Sequence, residues 1–119
     1  MAPPGNTVAS SRYTVGSWQD LEGQDALQHQ IITTRRITVV RCVYQPGCEF
    51  PRHFHPQEQI TIVDEGELEF DIDGEQVQVR QGEMISIPAR VKHATLAVGE
   101  GVARALHLFV RSGSDGDGD

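Results

Sequence analysis

What most constrains this chain is a rhythm of short β-branched runs, each closed by a turn signal. Between Arg12 and Arg111 the sequence reads "HQIITT", "RITVVRCVY", "QITIVDEG", "ELEFDI", "EQVQVR", "MISIP", "HATLAV" and "VARALHLFV". Gln45-Pro46-Gly47, Glu65-Gly66, Asp73-Gly74 and Gln81-Gly82 punctuate the runs, and Asp-Gly between alternating strands is the strongest hairpin signal among them. Many short antiparallel strands with Gly-rich turns predict an all-β sandwich or barrel. Only "SWQDLEGQDAL" carries helical potential, and Gly23 interrupts it.

At 119 residues the chain has room for one modest core. Residues 1–11 read as a flexible arm, 12–111 as a single domain, and 112–119, "SGSDGDGD", as a disordered acidic tail with nothing apolar to bury. The formal charge is −7, and without the three tail aspartates 14 acids still face 10 bases. Neither balance favours nucleic acid or an acidic membrane surface as a partner. No apolar run approaches the roughly 18 residues that span a bilayer, and "MAPPGNTVASSR" lacks the basic start and apolar stretch of a secretory signal. Cys42 and Cys48 read as lying on one extended segment, about 20 Å apart and beyond disulfide reach. Reduced thiols and a cytoplasmic location are the expectation.

Histidine is scarce, with five residues in all, yet "RHFHPQEQI" sets His53 and His55 one residue apart. On an extended segment alternate side chains share a face, so two such imidazoles can grip one divalent metal. An isolated His-x-His is equally at home beside a surface turn.

Further intervals favour the metal. Five residues separate Gly47 from His53, six separate Gln59 from Gly66, and "GEMISIPARVKH" spaces Gly82, Pro88 and His93 in register. Together they resemble the cupin double motif, G-x5-H-x-H-x3,4-E-x6-G followed by G-x5-P-x-G-x2-H. The resemblance covers residues from about 36 to 110. It implies a jelly-roll β-barrel (a double-stranded β-helix) with a metal in its mouth, held by His53, His55, His93 and the residue at the glutamate position.

The chain departs from that pattern twice. Arg90 stands where the second motif has glycine, which puts the turn there in doubt, and Gln59 stands where the first has glutamate. On a strand starting near Pro56, Gln59 shares a face with Thr61 and Val63, and Glu58 shares the other with Ile60 and Ile62. Gln59 is therefore the expected fourth ligand, and Glu58 is the alternative if a bulge after Pro56 inverts the register. A neutral amide leaves the metal its full double charge, which makes a stronger Lewis acid. Zinc, nickel, manganese and iron all suit such a donor set.

The run "HFHPQEQI" is similar to two groups of small cupins. One opens unsaturated uronic acids in pectin degradation with three His and one Gln on the metal. The other comprises cyclases and isomerases of polyketide and antibiotic pathways. In the uronate group an aspartate and a phenylalanine two residues apart on the last strand face the pocket. Here Phe109 matches the phenylalanine, but His107 occupies the aspartate position.

On that strand Ala103, Ala105, His107, Phe109 and Arg111 share a face, and the alanines suggest a side kept open for a ligand. His107 is then a candidate general acid or base, the alternatives being a hydrogen-bonded core histidine or a further metal ligand. Arg111 is a candidate for holding a substrate carboxylate, or a solvated terminal charge. Tyr44, on one face with Cys42 and Val40, is a substrate-binding candidate for which core packing is the alternative. Cys48 reads as structural, His29 as exposed, and Trp18 as covering a barrel end or a subunit interface.

The expected function is metal-dependent isomerisation, cyclisation or ring opening of a small oxygenated substrate, a sugar-acid derivative or a natural-product intermediate. An iron-dependent dioxygenase and a non-catalytic ligand-binding module are the alternatives. A homodimer is expected, with residues 6–17 adding a strand to the partner.

Overall fold

Asp73 and Gly74 both adopt positive φ, 50° and 95°, closing a two-residue hairpin between β6 (Glu67–Ile72) and β7 (Glu75–Arg80). The Gly74 N–H is held by Asp71 Oδ1 at 2.8 Å. That hairpin is one edge of a sheet in the computed structural model, which describes residues 13–21 and 24–111. The N-terminal arm and the acidic tail lie outside the described residues.

The remaining strands are β1 (Gln19–Leu21), β2 (Gln24–Thr33), β3 (Ile37–Tyr44), β4 (Glu49–His53), β5 (Glu58–Glu65), β8 (Met84–Ile87), β9 (His93–Val98) and β10 (Ala103–Val110). They form a six-stranded sheet in the order β1-β2-β3-β10-β5-β8 and a four-stranded sheet in the order β4-β9-β6-β7. Every pairing is antiparallel. This is the jelly-roll arrangement expected of the sequence.

Alternation decides what faces inward. On β5 Gln59, Thr61 and Val63 are buried, on β9 His93, Thr95 and Ala97, and on β10 Ala103, Ala105 and His107. Leu68 and Phe70 of β6 and Val79 of β7 join β9 on the inner face of the smaller sheet, so the core lies between the sheets. Buried polar side chains gather where β5, β9 and β10 converge, and those residues build the site.

Several expectations need correction. The stretch with helical potential supplies β1 and part of β2 instead, because Leu27, buried on β2, needs the partner β3 provides. Residues 13–17 form no strand, and residues 6–12 lie outside the described residues. Trp18 packs under the Arg41 guanidinium, 5.5 Å from its ring centre, on the outer side of β3. Cys42 and Cys48 do not share one straight segment, since β3 ends at Tyr44 and the chain turns at Pro46-Gly47. Both cysteines are buried and free.

β4, "EFPRH", is a strand that composition does not announce. Pro51 is tolerated there because β4 is the outer strand of its sheet. Pairing with β9 is irregular between Phe50 and His53, and then His53 pairs with His93. The bulge thus falls in β4, before Pro56, and leaves the β5 register intact.

Candidate metal centre

Three elements deliver three imidazoles to one point. His53 closes β4, His55 lies in the connection to β5, and His93 opens β9. Pairing with His53 places the first and last side by side. Phe54 between them is 59% exposed, so the chain turns alternate side chains outward and inward as extended backbone does. The ligand atoms of His53, His55 and His93 all lie within 4.8 Å of one another.

Each ring is oriented by its own backbone. Nδ1 of His53 donates to the Pro51 carbonyl at 3.0 Å, Nδ1 of His55 to the Gln57 carbonyl at 3.0 Å, and Nδ1 of His93 to the Val91 carbonyl at 2.9 Å. A proton fixed on Nδ1 leaves a lone pair on every Nε2, the tautomer a metal requires. His93 Nε2 is buried and has no hydrogen-bond partner among the described residues. Burial, opposed by the Val91 hydrogen bond and aided by His53 and His55, lowers the His93 pKa and keeps it neutral.

Gln59 places a fourth donor atom beside them. Its Nε2 donates to Thr61 Oγ1 at 2.8 Å, which turns Oε1 toward His55 Nε2 at 3.1 Å. With the His55 proton on Nδ1, two lone-pair atoms face each other there, an arrangement that a shared cation relieves. The donor set of three neutral imidazoles and one amide oxygen therefore fits a divalent transition metal. Glu58 points the other way and is exposed.

His107 stands behind this set. It pairs with Val40 of β3 and Thr61 of β5. Thr61 Oγ1, which accepts from Gln59, donates to His107 Nδ1 at 2.7 Å, and His107 Nε2–H donates to Tyr44 Oη at 2.7 Å. Both ring nitrogens are thus taken. Burial, with a smaller contribution from His93, pushes its pKa down to about 4, so it is a neutral link in a chain from Gln59 to Tyr44. The Tyr44 hydroxyl in turn adjoins the Cys42 thiol.

A cavity of about 200 Å³ opens beside these groups, reached by His53, Gln59, His93, His107, Phe109 and Tyr44. Phe109 sets its ring edge-on to His55 with centres 5.1 Å apart, and Phe50 does the same to His53 at 4.8 Å. Arg111 is not in the cavity wall; its backbone N–H holds the Arg36 carbonyl at 3.1 Å. Ala103 and Ala105 do not open a ligand face either. They are packed in the core, with Ala103 pressed against Gly66.

Sequence reasoning missed Phe50, Thr95 and, above all, His29 in the wall. His29 is half-buried rather than exposed, and the signal was present in "LQHQI", where Leu27, His29 and Ile31 alternate with glutamines. Its neighbourhood reads as polar only if the alternation is ignored.

The turn at Arg90 keeps the shape that glycine would give. Arg90 adopts φ 66°, and its N–H donates to the His55 carbonyl at 2.8 Å, tying the second motif to the first. The model of the cupin domain family (Cupin_2) matches residues 40–109, more than half of the chain.

The chain is a cupin. Over 68 residues, 56% of this cupin, it is 37% identical to the polyketide synthase CurC of Streptomyces cyaneus, and the match spans 44% of that protein. Among solved structures, KdgF from a Halomonas species superposes with a TM-score of 0.72 at 25% identity, covering 84% of this cupin and 92% of that chain. An RmlC-like cupin from Shewanella frigidimarina gives 0.73 at 23% identity, covering 89% and 96%, a likeness of fold.

Proposed function

We propose that this cupin is a metal-dependent enzyme of isomerase, cyclase or lyase type, acting on a small oxygenated natural-product intermediate. The observation that carries the reading is the set of three imidazoles locked by backbone carbonyls with Nε2 inward, joined by an amide oxygen rather than a carboxylate. The similarity to a polyketide synthase protein supports the substrate class.

His53, His55, His93 and Gln59 would hold the metal, for which zinc, nickel, manganese and iron all suit the donor set. When bound, it supplies Lewis acidity that polarises a carbonyl and acidifies the carbon beside it. Gln59 contributes no charge, so this acidity is not attenuated by an anionic ligand. Thr61 and His107 keep the Gln59 amide facing inward. Phe109 and Phe50 narrow the cavity beside the imidazoles, excluding water and presenting flat apolar surface to a substrate.

Protein loaded in turn with each of the four metals, incubated with 2-tetralone in deuterium oxide and followed by NMR, tests the reading. Metal bound in a one-to-one ratio, with deuterium entering beside the carbonyl faster than in buffer and stopped by a chelator, is expected. Exchange no faster than buffer with every metal overturns the enzyme reading, and oxygen uptake by the iron form alone would move it to a dioxygenase.

A further inference from the structure

The large sheet carries one polar group into the cavity that the metal site does not use. His29 sits on β2 and pairs with Cys42 of β3; its row continues through Ala105 to Val63 of β5, so Gln59 lies three strands away and four positions further along β5. Its Nδ1 is buried and has no hydrogen-bond partner among the described residues. An unpaired buried nitrogen costs free energy unless a ligand or water satisfies it.

Much of the cavity wall is apolar, formed by Leu27, Ile31, Val40, Phe50 and Phe109. Among the described residues no arginine, lysine or carboxylate lines the cavity. Tyr44, His107 and Gln59, which do line it, are engaged with one another or with Thr61. A polyhydroxylated sugar acid would leave most of its hydroxyls without partners there, at a cost for each. A cavity of roughly 150 Å³ takes up benzene, so about 200 Å³ suits a small ring system.

We infer that His29 is a substrate-anchoring residue, and that the ligand is an apolar one- or two-ring molecule bearing an oxygen function at each end. One oxygen lies at the metal site and the other hydrogen-bonds to His29. The inference rests on the proposed metal centre and adds the substrate class and a second recognition point.

Zinc-loaded full-length protein, its metal content measured, is titrated calorimetrically with 2-naphthol, naphthalene-2,6-diol and galacturonate. The wild type is expected to bind the diol about fivefold more tightly than the mono-ol, in line with one hydrogen bond. His29→Leu is expected to erase that preference while still binding both naphthols, and His29→Gln to restore part of it. The comparison is internal to each variant, so a general loss of stability does not imitate it. An unchanged preference in His29→Leu, or galacturonate bound as tightly as the diol, overturns the inference. Deuterium exchange into 2-tetralone without any diol preference would leave the enzyme reading standing and sink this one; the converse result would separate them the other way.

Discussion

Thr61 Oγ1 lies 2.7 Å from His107 Nδ1 and 2.8 Å from Gln59 Nε2, so this hydroxyl, with His107 Nδ1 at 3.4 Å from the same amide nitrogen, sets the sense of the amide that faces the histidines. The oxygen accepts from the amide and donates to the imidazole, and reversing the bond to the amide would turn Gln59 Nε2 toward His55. Thr61→Val keeps the shape and removes the hydroxyl. It is expected to weaken metal affinity about tenfold, as loss of a partner behind a ligand does. The unsatisfied His107 nitrogen should lower stability by about 1–2 kcal/mol. Thr61→Ser should restore the affinity. Chelator competition and urea unfolding measure the two effects, and full affinity in Thr61→Val would remove the orienting role.

His107 also makes the fold acid-sensitive. Its pKa falls from 6.5 to about 4 on folding, chiefly through burial. A base depressed in this way is protonated first in the unfolded chain. Its stability contribution is whole above pH 6.5 and is lost as pH falls toward 4. The loss is expected to reach about 2 kcal/mol by about pH 5. His107→Gln should flatten that slope. Urea midpoints of the metal-free protein across this range give the slope, and a wild-type curve parallel to the variant would refute the assignment.

Why the three clustered histidines were legible while their surroundings were not follows from the physics of each signal. His53 and His55 share a face through their spacing, and His93 and the candidate Gln59 are reached through the resemblance to the cupin motifs. The β6–β7 hairpin was legible from a local signal, Asp73-Gly74. β4 was not, since Pro51 and the charged Glu49 and Arg52 suppress any strand signal, and only its place at a sheet edge permits it. The roles of His29 and His107 depend on which strands lie beside them. His107 meets Thr61 across forty-six positions and Tyr44 across sixty-three, relationships that no local pattern encodes.

The two thiols should be inert in the native protein. Burial pushes Cys42 up to about 12, with the Tyr44 hydroxyl acting in the opposite sense and Cys48 adding to the rise. Cys48 is raised as well, by burial and then by Glu49. Since the thiolate is the reactive form, neither should react with Ellman's reagent at neutral pH until the chain is unfolded, when both should titrate. Rapid modification of either thiol in the folded protein would show that the strands open locally.

Two motif positions with positive φ make opposite demands on side chains. At Gly66, with φ 75°, an added Cβ would lie 2.7 Å from the Val102 carbonyl oxygen and 2.9 Å from Ala103 Cα, both backbone atoms. Gly66→Ala therefore strains the turn and pushes β10 outward, and is expected to cost about 3 kcal/mol. Arg90 holds φ 66° with a full side chain, so this turn tolerates a Cβ and bears only the left-handed penalty. Arg90→Gly relieves that strain but gives up the side chain's own interaction and frees the unfolded chain, and should cost less than Gly66→Ala. Arg90→Val, branched at Cβ, should cost about 2 kcal/mol. It should also loosen metal binding, because the Arg90 N–H holds the His55 carbonyl at 2.8 Å. Chemical unfolding of the three variants, with chelator competition on the last, provides the measurement; equal losses for Gly66→Ala and Arg90→Gly would show that close packing against β10 does not distinguish the two turns.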